Sequence, residues 1–170
     1  MSETPLPHSP ARHDRTWIDR LVLLVGQWFG TGLSPVGPGT VGSLGALPLF
    51  WLMRDLNVFF YWGLTVLISC LGILVSQRCS EVLGEKDPSS VVIDEVAGVL
   101  IALGLVQQGP LWLLGLAWIL FRVFDITKPG LIDRAQYWPP AGLGIMVDDL
   151  IAGSVAGALA SVTGILVSLL

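Results

Sequence analysis

Val58-Phe-Phe-Tyr-Trp-Gly-Leu-Thr-Val-Leu-Ile-Ser-Cys-Leu-Gly-Ile-Leu-Val-Ser-Gln77 runs for twenty residues without a charge. A helix of that length, at about 1.5 Å per residue, reaches ~30 Å, the thickness of a bilayer's hydrocarbon core. The run is too long for an ordinary strand and does not alternate, so it reads as helix. The whole chain shares its character. Of 170 residues 53% are hydrophobic and 13% charged, with a mean hydropathy of +0.74. Such values belong to a membrane protein rather than a soluble globule. The net charge of −4 gives no sign of nucleic-acid binding.

Outward from this run lie shorter apolar segments. Residues 17–29 read as an amphipathic helix, and 44–53, 94–106, 111–124 and 148–170 as further helices. Residues 30–43 are dense in glycine and proline and read as a loop, because neither residue suits a helix interior or a central strand. Residues 127–142 read as a second loop. The predicted fold is all-α: a membrane-embedded bundle of about five to six apolar helices, some short or re-entrant. One helical domain is predicted over 17–170. The Pro-, Ser- and His-rich tail over 1–16 is predicted to be disordered and has no secretory signal's apolar core.

Charge gives an orientation. If the helices alternate in direction, Arg12, Arg15, Arg20, Arg78, Lys86, Arg122, Lys128 and Arg134 fall on one side and Arg54 on the other. The positive-inside tendency makes the first side cytoplasmic. The acids of interest share that side, which predicts an acidic pocket at the cytoplasmic face.

Those acids are Asp94-Glu95, Asp125 and Asp148-Asp149, each set against an apolar run. Carboxylates at the edge of hydrocarbon are costly unless paired, hydrated or bound to a cation. Asp94-Glu95 and Asp148-Asp149 are predicted at helix starts, where capping is the plainer reading. Two pairs plus Asp125 in so uncharged a chain point instead to a shared cation site, and hard oxygen ligands select Mg²⁺. Arg122, Asp125 and Lys128 are spaced to share a helix face, either as an interfacial ion-pair ladder or as a phosphate-binding group. In the glycine/proline segment, backbone N–H groups such as that of Gly39, with the hydroxyls of Ser34, Thr40 and Ser43, are candidate anion donors. Each acid pair is followed by a glycine (Gly98, Gly153) that would let a neighbouring helix approach.

Much chemistry is excluded. The only histidines, His8 and His13, lie in the tail. Cys70 and Cys79 form no CxxC or zinc spacing, and no Walker A loop, cysteinyl-phosphatase or aspartyl-phosphate motif is present. A small cation transporter or channel subunit using the same acids is the alternative from another functional class.

Four segments together, Gly32-Leu-Ser-Pro35 through Pro38-Gly-Thr-Val-Gly-Ser-Leu44, Ile93-Asp-Glu-Val-Ala-Gly98, Phe121-Arg-Val-Phe-Asp-Ile-Thr-Lys-Pro129 and Gly142-Leu-Gly-Ile-Met-Val-Asp-Asp-Leu-Ile-Ala-Gly153, resemble the bacterial phosphatidylglycerophosphatase A family. The resemblance spans nearly the whole chain after the tail. It implies a multi-pass inner-membrane, Mg²⁺-dependent phosphatase that converts phosphatidylglycerophosphate to phosphatidylglycerol, its site facing the cytoplasm. On that resemblance the metal ligands are Asp94, Glu95, Asp125, Asp148 and Asp149, with Lys128 joining them in catalysis. Ser34, Gly39, Thr40, Ser43, Arg122 and Lys128 are the phosphate-binding residues. Where many members carry His-Gly-Gly, this chain has Pro140-Ala141-Gly142.

Overall fold

A computed structural model describes residues 15–169. Residues 1–14, which hold both histidines and most of the predicted tail, lie outside the described residues. Thr16, assigned to that tail, instead caps the first helix. Its hydroxyl accepts the Asp19 N–H at 3.2 Å while Asp19 accepts the Thr16 N–H at 3.0 Å, a reciprocal capping box.

Among the described residues the chain forms eight α-helices and no strand. They are α1 (Trp17–Gly26), α2 (Pro38–Gly45), α3 (Leu47–Met53), α4 (Val58–Leu83), α5 (Ile93–Gly104), α6 (Leu111–Thr127), α7 (Leu131–Ala135) and α8 (Ala141–Ser168), with a 3₁₀ turn over Thr31–Leu33. Only α4 and α8 are long and apolar enough to cross a bilayer among the described residues, at about 39 and 42 Å from their residue counts. The other apolar helices are shorter than a full span. α8 is the axis of the bundle, packed against α4, α5, α6 and α7, while α1 lies on α4 and α2 on α5.

Three expectations are corrected. The glycine/proline segment contains helix α2, which starts with Pro38 in its first turn after Gly37 in the left-handed region (φ 54°). Proline suits that position because the first N–H groups of a helix lack intrahelical partners anyway. Its glycines serve contact rather than flexibility: a Cβ on Gly42 would meet the Val92 side chain at 2.6 Å. The last helix also begins earlier than predicted, at Ala141. Asp148 and Asp149 therefore sit about two turns inside α8 and cap nothing. Gly142 and Gly144, which read as breakers, face the backbones of α4 and of the segment after α7 too closely for any side chain. Part of the second predicted loop is likewise helical, as α7.

The helix ends meet in two groups. At one end Arg54 donates to the carbonyls of Gln107 and Gly109 (both 3.1 Å), and Gln107 donates back to the Arg54 carbonyl at 2.6 Å. This ties the end of α3 to the end of α5. At the other end the last part of α4 meets the starts of α1 and α8: Arg78 pairs with Asp19 at 2.7 Å, and the Gln77 side chain accepts the Gly142 N–H at 2.9 Å. Hydrogen bonds from the Thr16 hydroxyl and backbone, then Arg78, hold the Asp19 carboxyl below its usual range.

The interior mixes large side chains such as Tyr61, Phe50 and Phe121 with small ones. Ala97, Ala102, Ala117, Ala152, Ala156 and Ala160 are fully buried, while Phe59, Leu52 and Leu74 stand exposed. Cys70 and Cys79 are both free.

Candidate active site

The site lies at the end of the bundle opposite Arg54. α5 contributes Asp94 and Glu95 from its first turn, α8 contributes Asp148 and Asp149 from its interior, and α6 contributes Arg122 and Asp125. Lys128, the C-cap of α6, adopts a left-handed conformation (φ 42°). It therefore leaves the face of Arg122 and Asp125, against the shared-face spacing, and turns toward α8.

Two glycines bring the acids together. A Cβ on Gly153 would collide with the Gly98 carbonyl, and one on Gly98 would strike the Phe121 ring and come within 2.9 Å of the Asp149 carbonyl. α5 and α8 therefore cross at backbone contact, as the glycine after each acid pair predicted. Asp94, Glu95 and Asp149 each place a carboxylate oxygen within 4.8 Å of the other two.

The charges around this trio differ in their partners. Asp125 is ion-paired with Arg122 and Asp148 with Lys128, three of these four side chains being at most 12% exposed. Asp148 also accepts the Asp149 N–H at 3.1 Å. Arg122 reaches the Thr40 hydroxyl at 3.4 Å, which brings α2 into the site. Gly39 lies beside both: a Cβ there would overlap Glu95 Oε1 and sit 3.1 Å from Arg122 Nη2. Burial alone would lower the Lys128 ammonium's pKa, but the hydrogen bond it donates to Asp148 and the charges of Asp148, Asp149 and Asp125 outweigh it, so the group is raised.

Four buried polar atoms here have no protein partner: Asp94 Oδ1, Glu95 Oε2, Asp149 Oδ2 and Arg122 Nε. Buried polar atoms are normally satisfied. Three acceptors in one place fit a cation, and the neighbouring free donor fits an anion. All the acceptors are hard carboxylate oxygens, a set suited to Mg²⁺.

The remaining predicted donors are not gathered in. Ser43 is fully buried and its hydroxyl donates to the Thr40 carbonyl at 2.9 Å. Ser34 donates to the Val36 carbonyl at 2.9 Å within its own turn. Gln77, which orients the start of α8, was not singled out from sequence; the signal was a polar residue closing the longest apolar run. Pro140, at the divergent tripeptide, is the N-cap of α8.

The model of the family described as phosphatidylglycerophosphatase A matches residues 24–163. This chain belongs to that family. Phosphatidylglycerophosphatase A from Escherichia coli is 34% identical over 133 residues, covering 78% of this chain and 77% of the relative. The Haemophilus influenzae protein of the same name is 38% identical over 131 residues, covering 76% and 80%. A Bacteroides thetaiotaomicron protein with the provisional name phosphatidylinositol-3-phosphatase is 38% identical over 140 residues, covering 78% and 87%. No solved structure matches the chain significantly. All the gathered residues of this family member, from Gly39 to Asp149, fall inside the matched span.

Proposed function

We propose that the chain is a membrane-embedded lipid phosphatase that hydrolyses phosphatidylglycerophosphate to phosphatidylglycerol and phosphate. The observation that carries this is the set of orphaned atoms: three carboxylate oxygens beside the unpaired Arg122 Nε, in a chain of the phosphatidylglycerophosphatase A family. The names of the Escherichia coli and Haemophilus influenzae relatives select the substrate.

In this reading Asp94, Glu95 and Asp149 hold Mg²⁺, with Asp125 and Asp148 next to them. When bound, the ion offsets negative charge on the phosphomonoester and polarises its phosphoryl group. Arg122 Nε and the Lys128 ammonium hold phosphate oxygens and stabilise the charge that moves between them in the transition state. Thr40 and Asp125 fix the guanidinium, and Asp148 fixes the ammonium. A carboxylate of the cluster takes the proton of the attacking water.

The many exposed large apolar side chains, with alanines buried between the helices, support a bilayer setting, because helices in lipid pack through small residues. With α4 and α8 as spans, the site sits at the end bearing Arg78, Lys86, Arg122 and Lys128. By the positive-inside tendency we assign that end to the cytoplasmic side of the inner membrane. A transporter is disfavoured because the acids gather at one end and not along a path.

The test is phosphate release by detergent-purified protein from phosphatidylglycerophosphate, phosphatidate and phosphatidylinositol 3-phosphate, with Mg²⁺ and with EDTA. Mg²⁺-dependent release favouring phosphatidylglycerophosphate supports the proposal. Preference for the phosphoinositide would move the chain toward the Bacteroides relative's name. Folded protein that releases nothing would return the transport reading.

A further inference from the structure

Beside the site, between α2/α3 and α6, runs an apolar groove of about 220 Å³ lined by Leu44, Leu47, Phe50, Gly115 and Trp118 and reaching Leu111. Its upper end adjoins the site on both walls. Leu44 is one turn beyond Thr40 on α2, and Trp118 is one turn before Arg122 on α6. From Arg122 to Leu111 the α6 wall spans about 16 Å at helical rise, and one leaflet of a ~30 Å hydrocarbon core is about 15 Å deep. The volume is below the ~300–1,000 Å³ of pockets that engulf a compact ligand. It suits a segment of one chain.

Two residues mark the groove as a binding surface. Gly115 lies in the middle of α6, where glycine is a poor helix former, yet a Cβ there would meet nothing within 4 Å. Packing in the protein therefore does not require the glycine, and its effect is to leave the groove floor open. Trp118 Nε1 is buried with no partner in the protein, whereas a buried indole N–H ordinarily donates to one. It lies about 6 Å below Arg122 along the helix. With the terminal phosphate of phosphatidylglycerophosphate held at Arg122, the phosphodiester, one glycerol further along the lipid, falls at that depth and the acyl esters lie below it.

We infer that this groove holds one acyl chain of the lipid substrate, with the Trp118 N–H donating to an oxygen of the substrate's phosphodiester at the groove's upper end. The inference rests on the lipid-phosphatase reading above and adds where the lipid lies.

The test compares Gly115→Leu, which fills the groove, with Gly63→Leu on α4, where a Cβ also meets nothing within 4 Å but no groove wall is touched. Each is assayed on dioleoyl and on dibutyryl phosphatidylglycerophosphate. Gly115→Leu is expected to lower kcat/KM about tenfold for the long-chain lipid and to leave the short-chain value and the Gly63→Leu protein unchanged. Equal effects on both lipids, or no effect on either, would overturn the groove. If Gly115→Leu does not fold, Trp118→Phe is the second arm. It should weaken turnover of phosphatidylglycerophosphate but not of the analogue with an uncharged methylphosphonate in place of the phosphodiester, and equal loss on both would overturn the hydrogen bond. Wild-type protein inactive on every lipid would instead sink the phosphatase reading itself, an outcome distinct from active wild type indifferent to Gly115→Leu.

Discussion

Asp148 and Asp149 are adjacent in sequence but differ in what holds them, so the same truncation should act differently on each. Asp149→Ala removes one of three crowded, unpartnered carboxylates. It should lower phosphate release by orders of magnitude while leaving thermal stability in detergent equal or higher. Asp148→Ala strands the Lys128 ammonium, which is 28% exposed. That variant should lose activity and up to about 3 kcal/mol of stability, short of the full cost at a wholly buried pair. Melting curves beside the phosphate assay separate the two. The Lys128 pKa, raised in the folded protein, adds a pH signature. Its stabilising contribution is complete below the unfolded value of about 10.4 and is lost as pH rises through the higher folded one. The melting temperature of the wild type should therefore fall more steeply above about pH 10.4 than that of Lys128→Met. Parallel curves would show that the pair contributes nothing.

Between elements, glycine has opposite roles that substitution can tell apart. At Gly153 the obstacle to a Cβ is the Gly98 backbone, which cannot move aside, so Gly153→Ala should cost about 1–3 kcal/mol through overpacking and lower turnover by parting α5 from α8. Gly115→Ala meets open space and should stabilise α6 by up to about 1 kcal/mol. Thermal unfolding of the two variants tests the contrast. The same duality explains what was legible. The apolar runs of α4, α5 and α6, the acids at the start of α5 and the glycines at the α5/α8 crossing could be read directly, because a long uncharged run reads as helix and a glycine one turn after an acid pair reads as a close crossing. Helix α2 and the first two turns of α8 could not. Sequence rules treat Gly39, Gly42, Gly142 and Gly144 as breakers, whereas the first two fit against neighbouring side chains and the last two against neighbouring backbone. The turn of Lys128 toward α8 was hidden for a related reason: a spacing of three implies a shared face only while the helix continues, and α6 stops at Thr127.

For the molecule as a whole, the Arg54 end and the carboxylate end should lie on opposite faces of the membrane. With Cys70 and Cys79 replaced by alanine, single cysteines at the exposed positions Asp55 and Asp87, which flank α4, should react with an impermeant maleimide from opposite sides of sealed vesicles. Labelling of both from one side would discard the α4 span. The orphaned oxygens of Asp94, Glu95 and Asp149 have a consequence beyond turnover. They belong to two separate stretches of chain, the start of α5 and the interior of α8, drawn into one dry place, where their mutual repulsion opposes the fold. A bound cation would therefore hold the bundle together, adding about 1.4 kcal/mol for each tenfold of concentration above its dissociation constant. In a cell starved of that ion, the enzyme would first be lost to surveillance proteases, and its scarcity would be measured in copies per cell before it was measured in rate.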